Sequence, residues 1–148
     1  MKIIVSNKKI RHEYYILDTF ECGIVLTGTE IKSVRLGKVA INDAYARIKS
    51  YELFLINMHI SKYSHGNIFN HEEKQERKLL MEKRDIVRLS LKLKQEGLTL
   101  VPAKVYLKDN LCKIELALCK GKKIYDKRET AKEEDSKKRL EKVEKEYR

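Results

Sequence analysis

Every second residue from Tyr14 to Leu26 belongs to one set: Tyr14, Ile16, Asp18, Phe20, Cys22, Ile24 and Leu26, all apolar except the aspartate. A period of two is the pleat of a β-strand, so the stretch predicts a long strand with one buried face. Glu21 falls on the other face, where a solvated carboxylate paired with a lysine is expected. The same period returns downstream. Ala44, Ala46 and Ile48 alternate with Tyr45, Arg47 and Lys49, giving one small apolar face and one aromatic, cationic face. The second face suits a sugar-phosphate backbone, although Tyr45 equally suits packing against a neighbouring loop. Glu52 to Ile60 carries Phe54, Ile56, Met58 and Ile60 as one alternating set, with Leu53 and Leu55 making its other face partly apolar. A strand buried on both sides near its middle fits a closed or strongly curled sheet better than a flat one. Two further strands, Leu98 to Leu107 and Leu111 to Cys119, are joined at Asp109-Asn110, a hairpin signal. Pro102 cannot donate to a ladder and marks an edge or bulge. Cys112, Ile114, Leu116 and Leu118 form the inward set of the last strand. Arg77 to Met81 reads either as a strand or as the first turn of a helix.

Two helices punctuate these strands. Thr27 and Glu30 have capping-box spacing and Gly37 supplies a left-handed stop, so Thr27 to Lys38 predicts a short capped helix. Ile31 and Val34 share its packing side, while Lys32 and Arg35 project from another and Lys38 follows the stop, which places a positive corner on packed backbone. From Arg84 to Glu96, Ile86, Leu89 and Leu93 are spaced for a helix that Gly97 stops, with Arg84, Arg88, Lys92 and Lys94 outside. Residues 1 to 13 are polar and basic, and read either as a mobile leader or as a segment that lies on RNA. Between strands and helix, Ser61 to Glu73 is a loop with a turn signal at Gly66-Asn67. His59, His65 and His71 lie in or beside it, six residues apart, which matches no strong metal-ligand signature. No metal or other cofactor is expected.

Charge decides what the outer surface is for. Of 148 residues, 33 are Lys or Arg and 22 Asp or Glu, a net charge of +11 with a pI near 9.5. That balance points to a phosphate-bearing partner, nucleic acid before an anionic membrane. No apolar run approaches the roughly 18 residues of a spanning helix, and Met1 to Ile10 has no signal-peptide core, so the expected location is cytoplasmic. Cys22, Cys112 and Cys119 have no CxxC spacing and read as small reduced core residues. At Lys120 the composition changes abruptly to charged residues with almost nothing to bury. The expected organisation is a folded domain over 1–119 and a basic tail over 120–148. In that tail, i, i+4 pairs such as Glu133 with Lys137 and Glu141 with Lys145 support a helix only when a partner orders it.

No GxxxxGK[ST], GxSxG or HExxH motif occurs, and the carboxylates are scattered among lysines rather than paired near apolar residues. A non-enzymatic protein is expected. A metal-free ribonuclease using His12 or His59 is the enzyme alternative, and it lacks an identifiable second acid or base.

The ordered segments NKKIRHEY at 7–14, ECGIVLTGTEIKSVRLGK at 21–38, INDAYARIK at 41–49, FLINMHI at 54–60, GNIFNH at 66–71, RKLL at 77–80, GLTLVPAKVYLK at 97–108 and KGKKIYDKR at 120–128 closely resemble the SmpB family of SsrA-binding proteins. The resemblance implies a mainly β fold with α: an oligonucleotide-binding-type antiparallel β-barrel with about three flanking helices and a basic C-terminal tail. It implies transfer-messenger RNA as partner, bound by its tRNA-like domain. That RNA would be delivered to stalled ribosomes in trans-translation, with elongation factor Tu and alanyl-tRNA synthetase as indirect partners. By motif, Arg11, His12 and Glu21 would lie in the RNA-binding surface with Lys32, Arg35 and Lys38; Arg77, Lys78 and Leu80 would be near it, and Tyr45 joins them from its strand face. Lys122, Lys123, Tyr125, Asp126, Lys127 and Arg128 would meet the small-subunit decoding centre, with the rest of the tail helical in the mRNA channel. Glu82 stands where the family commonly has Asn or His, and is left out of the binding set. The competing reading is a structural ribosomal-type protein whose basic tail threads into ribosomal RNA.

Overall fold

A computed structural model describes residues 1–65, 70–95 and 97–123. Among them are nine strands and three helices: β1 (Lys2–Ser6), α1 (Ile10–Glu13), β2 (Tyr14–Ile24), α2 (Gly28–Arg35), β3 (Val39–Ala40), β4 (Tyr45–Lys49), β5 (Glu52–Ile56), β6 (His59–Ile60), β7 (Arg77–Leu80), α3 (Lys83–Leu93), β8 (Leu98–Lys108) and β9 (Leu111–Gly121). All pairings are antiparallel. The main sheet runs β1-β8-β4-β5-β7-β2-β9, and β9 pairs back onto β8, so six strands return on themselves as a ring; β3 and β6 form a separate ribbon. The expected mainly antiparallel fold with three helices is present.

Turn chemistry sets the longest pairing. Asp109 and Asn110 both have positive φ, +52° and +63°, the backbone of a two-residue hairpin loop that matches strand twist. The register is thereby set at Lys108↔Leu111 and runs back to Lys104↔Glu115 before it shifts between Pro102 and Lys104. Pro102 therefore sits at a bulge, as its missing N–H demands. The bulge lets one strand serve two neighbours: Leu100 pairs with Ala46 of β4, while Lys104 to Leu107 pair with β1. Asn7 ties the bend, its N–H donating to the Ala103 carbonyl at 2.8 Å and its side-chain amide to that of Pro102 at 3.3 Å. The amino-terminal residues are thus a paired strand and a short helix, not a mobile leader.

Apolar burial divides between two sides of the sheet. Inside the ring, Leu53, Leu55, Leu79, Leu100, Ile114 and Leu116 are fully buried, closed over by Val34 of α2 and by Ile86 and Leu89 of α3. Outside it, Ile10 of α1 covers Val101, Ala103, Ala117 and Cys119, which is why Leu116 to Cys119 are buried without a break. Burial pushes the Cys22 thiol up to about 12 and those of Cys112 and Cys119 to about 11, so all three are inert, unpaired core residues.

Two phase changes depart from the sequence expectation. In β2 a bulge falls between Ile16 and Asp18. Before it, Ile16 lies opposite Cys119 on the outer face; after it, Phe20 lies opposite Leu116 on the inner face. The even-numbered set therefore does not share one face, and Ile16 is 37% and Leu17 55% exposed. In the second case, β5 turns Leu53 and Leu55 inward, with Phe54 and Ile56 only half-buried. Asn57, at φ +62°, then breaks the strand and restores the other phase, so Met58 and Ile60 point in. One extra residue flips every later side chain to the opposite face.

Candidate RNA-binding surface

The capped helix forms as its residues require. Thr27 Oγ1 accepts from the Glu30 N–H at 3.4 Å and Glu30 Oε1 accepts from the Thr27 N–H at 2.9 Å, a reciprocal capping box. At the other end Gly37, at φ +76°, donates to the Val34 carbonyl and Lys38 to that of Ser33, the paired bonds of a Schellman stop. Val34 is fully buried, and Lys32, Arg35 and Lys38 are exposed. The positive corner is therefore held on rigid backbone; Lys32 Nζ also lies 5.3 Å from the Tyr63 ring centroid.

Beneath that corner lies a buried polar hub. Arg77 and Glu30 form an ion pair with side chains 1% and 2% exposed. The remaining Arg77 donors go to the carbonyls of Met58 at 2.6 Å, Gln75 at 3.2 Å, Glu72 at 3.2 Å and Glu73 at 3.1 Å. Burial works against the Glu30 charge, but the Thr27 N–H and the Arg77 guanidinium outweigh it and hold the carboxyl below its ordinary value. His71 completes the hub. Its Nε2 donates to the Ile60 carbonyl at 2.9 Å, and its Nδ1 shares a hydrogen bond with the Thr29 hydroxyl at 2.9 Å. The placement of Arg77 corrects the sequence expectation: its guanidinium is turned inward and saturated, so it supports the surface from below rather than meeting a ligand. His59 pairs with Glu73 at 2.6 Å and His65 packs edge-on to Tyr63. Among the described residues no His, Cys, Asp or Glu group is arranged to hold a metal ion.

The other expected residues lie around the outside of the ring. Lys78 and Leu80 are exposed on β7, Leu80 opposite Gly23 of β2, and the Lys78 carbonyl accepts from the Val25 N–H at 3.0 Å, just before α2. Tyr45 is 39% exposed on β4, two strands away. Arg11 and His12 are exposed on α1 at the far end of β2 from α2. Lys122 joins them: its Nζ donates to the Arg11 carbonyl at 2.8 Å and lies 4.6 Å from the Tyr15 ring centroid. An open groove of about 910 Å3 runs beside it, lined by Lys8, Arg11, Tyr14, Tyr15 and Lys104 among others. Lys123 is exposed at the end of the described chain. Tyr125, Asp126, Lys127 and Arg128, the tail helix and the Gly66-Asn67 turn lie outside the described residues.

Glu21 stands on the outer face of β2, opposite Glu115 of β9. Its Oε2 accepts from the Tyr106 hydroxyl at 2.6 Å and lies 3.5 Å from Lys108 Nζ, both on β8, so the side chain reaches across the intervening strand. The Tyr106 bond first, then Lys108 and Lys113, hold its carboxyl below the ordinary range against a smaller opposing effect of burial. Burial and the Glu21 bond push the Tyr106 hydroxyl above its usual value. The expected lysine partner is present; the tyrosine is not legible from the sequence. The hairpin sets Lys104 opposite Glu115 and Tyr106 opposite Lys113 by counting back from the turn, but the placing of Glu21 beside them depends on β2–β9 pairing, which no local signal announces.

Residues 4–146 match the family model described as SmpB protein. The SsrA-binding protein of Carboxydothermus hydrogenoformans is 57% identical over 142 residues, covering 96% of this chain and 95% of that one. Its counterpart from Pelotomaculum thermopropionicum is 52% identical over 146 residues, covering 99% and 95%. A solved structure described as "tmRNA-SmpB: a journey to the center of the bacterial ribosome" contains a chain that superposes with a TM-score of 0.70 at 42% identity, covering 86% of this chain and 93% of that one.

Proposed function

This chain belongs to the SmpB family of SsrA-binding proteins, and from that premise we propose that it is a non-enzymatic RNA adaptor acting in the cytoplasm. The folded body binds the tRNA-like domain of transfer-messenger RNA through the positive corner of α2, Glu21, and the α1 end with Arg11 and His12. The complex reaches stalled ribosomes with elongation factor Tu, after alanyl-tRNA synthetase has charged the RNA. There the tail from Lys120 onward, with Tyr125, Asp126, Lys127 and Arg128, occupies the empty decoding centre and the mRNA channel. One observation carries this reading: the likeness over most of both chains to the chain in the tmRNA–SmpB structure. The geometry supports it, since exposed cations on a rigid scaffold are what neutralising an RNA backbone in a fixed register requires.

The test is a titration of labelled tRNA-like domain with the full-length chain, using ordinary tRNA as competitor. The expected result is binding that the competitor does not displace at equal concentration. Equal displacement would reduce the protein to a general polycation and favour a structural role in the ribosome. Ending the chain after Lys123 keeps the bond from the Lys122 N–H to the Glu13 carbonyl, 2.9 Å, that closes the last strand. That shortened chain is expected to retain RNA binding and lose ribosome-dependent tagging.

A further inference from the structure

A carboxylate on a surface that receives RNA poses an electrostatic problem, because it repels every phosphate that approaches it. Glu21 is not neutralised by a salt bridge of close geometry: Lys108 is 3.5 Å away and half exposed. What it has is one short bond, from the Tyr106 hydroxyl to Oε2 at 2.6 Å. Oε1 has no protein partner among the described residues. Tyr106 is 5% exposed and flanked in register by Ile3 of β1 and Lys113 of β9, so its ring cannot swing away. A side chain locked by packing can fix the direction of a more exposed one.

We propose that Tyr106 is a positioning residue that pins one oxygen of Glu21 and aims the other outward, as an acceptor for a neutral donor of the RNA, a 2′-hydroxyl or an exocyclic amino group. The inference rests on the reading of this face as RNA-binding. A charge-assisted bond from such a donor is directional, and a phosphate, having no donor, cannot replace it. Lys108 and Lys113 act on the carboxylate, and Lys104 offsets the neighbouring Glu115 that stands opposite it; these cations attract the flanking phosphates while Glu21 rejects one at the centre. The roles of the pair are stable at neutral pH, because the carboxyl is held low and the phenol high, so the oxygen stays an acceptor and the hydroxyl keeps its proton.

The experiment is a binding cycle on the full-length chain with a transcript of the tRNA-like domain, comparing wild type, Tyr106→Phe, Glu21→Ala and the double variant. Tyr106→Phe is expected to weaken binding about tenfold, the worth of one bond to a charged group. In the Glu21→Ala background, where no acceptor remains, it should change affinity by no more than about twofold. Equal losses in both backgrounds would mean that Tyr106 acts through the fold and would overturn the positioning role. Unchanged affinity in Glu21→Ala alone would remove Glu21 from the RNA-binding reading, and the inference with it. Transcripts carrying 2′-deoxy substitutions, or inosine in place of guanosine, separate the donors: the change that weakens wild type but not Glu21→Ala identifies which group Oε1 accepts from. If none does, the outward acceptor role is overturned. Carboxyl carbon NMR of the wild-type chain and of Tyr106→Phe reads the contact directly: the Glu21 midpoint is expected to rise when the hydroxyl is removed, and an unchanged midpoint would overturn the bond.

Discussion

Two glutamates packed against the same sheet hold one chemical group in opposite environments. Glu30 projects inward from the first turn of α2, its side chain 2% exposed, with both oxygens engaged by Thr27 and Arg77. Glu21 lies on the outer face of β2, with Tyr106 and Lys108 on one oxygen only. A buried charge must be matched or it destabilises the fold, so Arg77 has every donor engaged and Glu30 is closed off from any ligand by burial. An exposed charge carries no such obligation, and its unused oxygen can serve recognition. Burial, rather than residue type, separates the saturated carboxylate from the available one.

Removing one half of the buried pair should break that comparison most sharply. Arg77→Ala leaves Glu30 charged and uncompensated and is expected to destabilise by about 3–5 kcal/mol in denaturant unfolding. Replacing both, Arg77→Met with Glu30→Leu, should recover only part of this, because the carbonyls of Met58 and Glu73 also lose their donor. Acid probes the same pair. Since the folded-state pKa of Glu30 is lowered, its contribution is complete above the ordinary 4.5 and drains away as pH falls through the lower folded value. Unfolding measured from pH 6 to pH 2 should show that loss in wild type and a shallower one in Glu30→Gln. A smaller effect belongs to the stop of α2: Gly37→Ala places a Cβ at φ +76° and should cost about 1 kcal/mol in thermal unfolding. The smallest stability change, within about 0.5 kcal/mol, is expected for Lys32→Ala with Arg35→Ala, which are exposed. For RNA the order reverses. The logarithmic salt dependence of binding should flatten by roughly 0.7–0.9 per lost phosphate contact. An unchanged slope would return that corner to plain solvated surface.

Legibility in the sequence followed range. The capping box at Thr27 and Glu30, the stop at Gly37, the hairpin at Asp109-Asn110, the bulge at Pro102 and the inward set of β9 each depend on residues within a few positions of one another, and all stand as expected. Alternation failed where an extra residue entered β2 at Leu17 and where Asn57 ended β5 before β6, because a period of two has no memory across a bulge or a break. The motif resemblance put Arg77 near the RNA-binding surface but not its inward turn, because its partners, Glu30 at 47 positions away and Met58 at 19, give no local signal.

By itself, the sequence determined most of the strands and the two longer helices, though not β1, α1 or β7, together with the exposure of Lys32, Arg35 and Lys38, the inert cysteines and, through its motifs, the family. These follow from backbone sterics, side-chain period and net charge, which act residue by residue. Only the tertiary structure decided that β1 joins β8, that β9 closes the ring, that Arg77 turns inward, and that Tyr106 reaches across a strand to Glu21. Those outcomes come from packing between distant segments, where the need to satisfy each buried polar group chooses among pairings that local preference leaves equal.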